Sequence, residues 1–196
     1  PRLWYKCAVE FTTAIDKIDA LQYKKHGLTG PTTIRRLLVF EIGDYAVCPG
    51  HGVGHILGVE DRELGEVTKS FYIIQVIANG MKVMVPTDSE HGIRGLVGEK
   101  EVTDVYSLLN DHEVKIDNST WNRRYREYMA KIKTGSLLEI AEVLRALFLL
   151  KTKKNLSFGE KKMLDQCRDL LSQEISLSGG GESTAIKTQI DSYFGE

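Results

Sequence analysis

The chain changes its punctuation between Gly95 and Lys100, and this change constrains its fold more than any other feature. Upstream, short β-rich runs are separated by glycine: Tyr45-Ala46-Val47, Gly54-His55-Ile56-Leu57-Gly58-Val59, the run from Ser70 to Ile77, and Lys82-Val83-Met84-Val85-Pro86. Asn79-Gly80 separates the last two, and such a pair predicts a two-residue hairpin in which both turn positions take positive φ. Leu64-Gly65-Glu66 marks another turn. Roughly five short strands in about 55 residues fit a small SH3-like or Tudor-like barrel.

Downstream, the signals are helix starts and stops. A first short helix is expected over 102–109. Asp117-Asn118-Ser119-Thr120 offers an N-cap for a second, from Trp121 to about Lys133, which Gly135 stops. Ser136-Leu137-Leu138-Glu139 reads as a capping box opening a third, with Ile140, Leu144 and Leu147 on one face. Ser157-Phe158-Gly159-Glu160 is a second capping box, starting a fourth helix through Met163, Leu164, Leu170 and Leu171. Gly179-Gly180-Gly181 ends it, and a weak terminal helix follows from Ser183 to Tyr193. The expected class is therefore α+β: a small β barrel over 39–96, then an all-helical domain of about five helices over 101–196.

Residues 1–38 stand apart. They contain no methionine, the first of the chain being Met81, and sustain neither a period of 2 nor one of 3.6. They read as translated upstream sequence or a disordered extension, with a native start near Val39 or Phe40. A genuine N-terminal arm is the alternative, and neither reading assigns them chemistry.

Charge matters through its distribution. The net charge of −1 hides a stretch, Asn118 to Lys162, with eleven basic residues against four acidic ones, a balance of +7. Local charge sets the field that a polyanion meets. No run of about 18 apolar residues offers a helical membrane span, and no apolar h-region marks a secretory signal. Cys7, Cys48 and Cys167 are odd in number and widely spaced, which gives neither a disulfide framework nor a metal-binding Cys-x-x-Cys. A reduced, cytoplasmic setting is expected.

Few segments carry the residue types of chemistry. Cys48-Pro49-Gly50-His51-Gly52-Val53-Gly54-His55 holds glycines at alternate positions, but it makes neither a dinucleotide fingerprint nor a P-loop. His51 and His55 are four apart, a spacing that chelates a metal on a helix but not in a β turn. The favoured reading is a glycine-rich corner where barrel strands cross closely; a metal-dependent hydrolase built on the two histidines is the enzyme-class rival. His26, His91 and His112 mostly sit beside turn residues, and no G-x-S-x-G, H-E-x-x-H or Walker pattern occurs. The expectation is a protein that is not an enzyme and needs no cofactor or metal.

Trp121-Asn122-Arg123-Arg124-Tyr125-Arg126-Glu127-Tyr128 is the informative segment. At 3.6 residues per turn, Tyr125, Met129 and Ile132 form an apolar stripe, with Arg123 and Arg126 on another side. One reading makes Trp121 a core plug and the arginines a solvated face. The other places the arginines on phosphates and leaves the indole to wedge or stack against a base, which suits a DNA fork better than intact duplex. Trp121, Arg123, Arg124, Arg126, Lys131 and Lys133 are the candidate DNA-binding residues.

From Phe40 onward, about four-fifths of the chain resembles the CarD/CdnL family of bacterial transcription regulators, whose first domain is shared with the transcription-repair coupling factor. The resemblance rests on Phe-Glu-Ile-Gly-Asp-Tyr-Ala-Val (40–47), Pro-Gly-His-Gly-Val-Gly (49–54) and Met-Lys-Val-Met-Val-Pro (81–86). In the helical half it rests on Trp-Asn-Arg-Arg-Tyr-Arg (121–126), Lys-Thr-Gly-Ser (133–136), Ala-Glu-Val-Leu-Arg (141–145) and Leu-Ser-Phe-Gly-Glu-Lys-Lys-Met-Leu (156–164). It implies a Tudor-like domain that binds the RNA polymerase β subunit and a helical domain on promoter DNA at the upstream edge of the bubble. The wedge role would fall on Trp121, with Arg123 and Arg126 on phosphates. Polymerase would meet Arg62 and the strand Lys82, Val83, Met84, Val85 and Pro86.

Met84 stands where some relatives carry arginine, which shifts weight to Arg62, Lys82 and apolar packing. Cys48 replaces an aromatic residue often found there. No helicase motor is present, so repair coupling is not implied. The resulting expectation is a regulator that stabilises the open complex, with little DNA sequence preference, as a monomer per polymerase. A protein–protein adaptor without DNA contact is the alternative.

Overall fold

The computed structural model describes residues 40–65, 67–89, 92–111 and 119–195. The readings made for 1–38, for His26, His91 and His112, for Glu66 and for the 117–118 part of the expected cap lie outside them.

Among the described residues four strands form one antiparallel sheet in sequence order: β1 (Tyr45–Cys48), β2 (Gly52–Leu64), β3 (Val67–Val76) and β4 (Lys82–Pro86). The sheet curls into a half-barrel; where about five strands are expected, the described residues hold four, with a single antiparallel bridge between Arg94 and Val47 beside them. Alternation divides its faces. Ala46, Cys48, Ile56, Tyr72 and Ile74 form the inner core, with Phe40, Val85 and Ile93 packed on it. The glycine-rich corner does bring strands close: a Cβ on Gly54 would lie 2.4 Å from Ile74 Cγ2.

The β3–β4 turn differs from the expected two-residue form. Val76 N–H donates to the Met81 carbonyl and Gly80 N–H to that of Val76, so the loop is Ile77 to Gly80. Only Gly80 takes positive φ, at 69°. The Asn79 side-chain oxygen accepts from Met81 N–H at 3.0 Å, a local bond that an asparagine makes without entering the left-handed region.

Five α-helices follow among the described residues: α1 (Glu99–Asn110), α2 (Trp121–Thr134), α3 (Leu137–Lys153), α4 (Phe158–Ile175) and α5 (Ser183–Ser192). α1 begins three residues earlier than expected because the Glu101 carboxylate accepts from Gly98 N–H at 2.9 Å. α3 is apolar almost all round and accordingly forms the middle of the core, burying Leu137, Ile140, Ala141, Val143, Leu144, Leu147, Phe148 and Leu150. Its expected capping box is half formed: Ser136 Oγ accepts from Glu139 N–H, but the Glu139 carboxylate goes to Thr134. A π-helical turn, Ser176–Gly180, extends α4.

The sheet and helices meet along a seam. Gly135 ends α2 in the left-handed region at φ 73°, and a Cβ there would sit 3.2 Å from Pro49 Cγ. A Cβ on Gly52 would press on Leu170 and Gln173 of α4. Arg94 ties the seam electrostatically, donating to the Gly135 carbonyl from Nε (2.9 Å) and to Glu174 Oε2 from Nη2 (2.9 Å). Among the described residues no helix is long and apolar enough to cross a membrane.

Candidate nucleic-acid and polymerase interfaces

α2 places the residues that the sequence nominates for DNA, but its inward stripe is not Tyr125–Met129–Ile132. Met129 and Ile132 do pack on the core, but Tyr125 is 45% exposed, and Trp121, Arg124 and Tyr128 complete the inward face in its place. An arginine can occupy this stripe because α4 supplies its partner. Arg124 Nη2 donates to Glu160 Oε1 at 2.6 Å, and both side chains are nearly fully buried. Arg124 is thus withdrawn from solvent and holds the site in place rather than facing a phosphate.

Glu160 is the centre of this arrangement. Its carboxylate also accepts from Ser157 N–H at 2.8 Å, completing the expected capping box, and from Lys154 Nζ at 3.1 Å. Burial would push its pKa up; the Ser157 backbone, Arg124, Lys154 and the Ser157 hydroxyl outweigh that and hold it at about 2.

The Trp121 indole is half-buried and supported on several sides. The Arg124 guanidinium lies 5.8 Å from the ring centroid, and the Tyr125 ring meets it edge-on at 5.5 Å. Below it runs the backbone of Gly159, where a Cβ would come within 3.1 Å of Cζ2. The ring is therefore fixed in orientation while part of it remains open to solvent, which joins elements of both sequence readings. Arg123 is well exposed beside Glu127 (3.3 Å), and Arg126 and Lys133 are exposed. Lys131 is half-exposed and paired with Glu142. The geometry thus gathers Trp121, Arg123 and Arg126 at one end of α2, with Lys131 and Lys133 at the other.

The residues nominated for polymerase divide by face. Across the sheet, Arg62 pairs with Lys69, Met84 with Ile73, Lys82 with Gln75 and Pro86 with Phe71. The β3 partners are 69, 71, 73 and 75, so Arg62, Lys82, Met84 and Pro86 share the outer face. Val83 and Val85 turn the other way, and Val85 packs on the β core. β4 is the last strand of the sheet, so its outer edge pairs with no further strand among the described residues.

Among the described residues the other candidates do not gather into a reactive site. His51 is exposed in its turn, and His55 packs edge-on against Tyr45 at 4.9 Å. Burial pushes the Cys48 thiol to about 11 and that of Cys167 to about 12, so neither is a thiolate near neutral pH. Sequence reasoning missed Arg94, whose partners lie 41 and 80 residues away, and the inward turn of Arg124.

Comparison with known proteins agrees with this architecture. Residues 40–97 match the CarD-like/TRCF RID domain, and residues 104–191 match the CarD C-terminal domain. A protein of Bacillus subtilis (strain 168) named "Putative transcription factor YdeB" is 35% identical over 157 residues, covering 76% of this chain and 99% of the relative. The chain belongs to the CarD/CdnL family of transcription regulators, which are not enzymes.

Proposed function

We propose that this protein binds the RNA polymerase β subunit through its sheet and stabilises opened promoter DNA through α2. The observation that carries the reading is the Trp121 ring, part open and braced by Arg124, Tyr125 and Gly159, next to exposed Arg123 and Arg126. A braced aromatic loses little freedom on contact, so its stacking or wedging energy is largely retained. The arginines meet phosphates, which position the protein and read no sequence. Arg124 is left out of the contact set, and Lys131 and Lys133 extend it along α2.

On the sheet, the outer face formed by Arg62, Lys82, Met84 and Pro86 and the edge of β4 meet polymerase. An edge strand can be extended by a partner's strand, with side chains supplying specificity. Val83 contributes backbone there, and Val85 anchors the strand from the core side. One copy acts per polymerase, in the cytoplasm.

Regulation follows from differential binding, since a protein that binds closed and open complexes equally shifts neither. A contact worth about 1–3 kcal/mol in the open state alone lengthens its life roughly 5- to 150-fold. The test is the lifetime of a competitor-challenged open complex with no protein, with wild type and with Trp121→Ala. Wild type lengthens it, and the folded variant does not. Unchanged lifetime with wild type despite polymerase binding would favour an adaptor that never touches DNA.

A further inference from the structure

Among the described residues, Phe158 is the most exposed large apolar side chain, at 84%. Single exposed apolar residues are ordinary on protein surfaces; the placement of this one is not. It is the first residue of α4, immediately before Gly159, whose backbone is the floor under the Trp121 indole. The turn that carries it is held by the Ser157–Glu160 capping box and by the buried Arg124–Glu160 pair. Its backbone is therefore braced by the same contacts that brace Trp121.

The charge around Phe158 selects the partner. Lys161 and Lys162 lie three and four residues on, on the same side of the helix, and both are exposed. Between 151 and 162 there are five lysines and one acid, Glu160, which is buried and neutralised. An apolar pocket on a protein partner would have to carry an acidic rim to sit here. A melted nucleic-acid strand provides both complements at once, phosphates for the lysines and a π face for the ring. In intact duplex those faces are stacked away.

We infer that Phe158 is a second aromatic contact to opened DNA, stacking on an unpaired base beside the place where Trp121 acts. This rests on the DNA-contacting role proposed above and extends it to α4. The protein then meets the fork with two rings set on adjoining braced turns, and the lysines of α4 follow the backbone of the strand whose base Phe158 holds.

The experiment uses the full chain and a short duplex containing a mismatched bubble, with 2-aminopurine in the unpaired segment at the bubble's edge, at fixed low salt. Wild type is expected to quench the probe and to bind the bubble more tightly than Phe158→Ala by about 5- to 150-fold, the stacking worth of one base. Phe158→Trp retains quenching. All variants bind the fully paired duplex alike and melt at the wild-type temperature. If Phe158→Ala equals wild type on the bubble while Trp121→Ala loses affinity, the inference fails and the role of Trp121 stands. If Phe158→Ala binds the bubble normally but polymerase more weakly, Phe158 is a protein contact and the inference fails. If wild type binds bubble no better than duplex, both readings fall.

Discussion

The helical half and the β half reach order by different means. Among the described residues the helices share a continuous core of nineteen buried apolar side chains, centred on α3. The sheet buries five in its own core and leans on the helices through Arg94, Gly52 and the Pro49–Gly135 contact. The difference teaches where each half can spend surface on partners. Among the described residues the sheet leaves an outer face and the edge of β4 open. In the helical half, the residues proposed to face partners lie at the starts of α2 and α4, where the Arg124–Glu160 pair and, for Trp121, the edge of the main core hold them.

Among the described residues α4 carries two buried carboxylates, each paired with an arginine. Glu160 joins α2 to α4 inside the helical half, and Glu174 joins the helices to the sheet through Arg94. Removing one member of a buried pair leaves an uncompensated charge, which costs about 3–5 kcal/mol. Glu160→Gln is expected to show a loss of that size in chemical denaturation and to loosen Trp121, seen as altered tryptophan fluorescence before global unfolding. Trp121 fluorescence that stays native up to global unfolding would dissociate the ring's placement from the pair.

Acid should reproduce much of this loss in the unaltered protein. The folded pKa of Glu160 is depressed to about 2 from 4.5, so its contribution is complete above about pH 4.5 and disappears as pH falls toward 2. The shift corresponds to about 3 kcal/mol. Denaturation followed from pH 6 down to 2 should show a stability decrement that is smaller by that amount in Glu160→Gln.

Arg94→Ala is expected to have a smaller effect, about 2–3 kcal/mol, because Arg94 is itself about one-third exposed while Glu174 is buried. Its signature is regional. Amide exchange should quicken in β1 and β4 and leave α3 nearly unchanged. Equal acceleration in both halves would mean that the seam stabilises the helices as much as the sheet.

Much of this architecture was legible in the sequence because its signals are local. Gly135 at the end of α2, the Ser157–Glu160 capping box and the apolar periodicity of α3 each act within a few residues of where they are read. What escaped was set by distant partners. Arg124 reads as a surface arginine until Glu160, 36 residues on, is folded against it. Burying Arg124 turns the helix so that Tyr125, expected in the core, faces solvent. Arg94 lay in a stretch with no periodic signal at all. The β3–β4 turn was misread at closer range, because Asn79 uses its side chain where the two-residue turn would have used its backbone. Phe158 was visible as part of a family motif, but its exposure is a property of the packed turn.

We propose that the two halves perform separable tasks, the sheet binding polymerase and the helices prolonging DNA opening. The most direct test is the open-complex lifetime measured across a titration of wild type, Arg62→Glu and Trp121→Ala. Arg62→Glu should require more protein yet reach the wild-type plateau, whereas Trp121→Ala should plateau near the protein-free lifetime. A Trp121→Ala variant that reaches the wild-type plateau would show that the ring does not hold the DNA open.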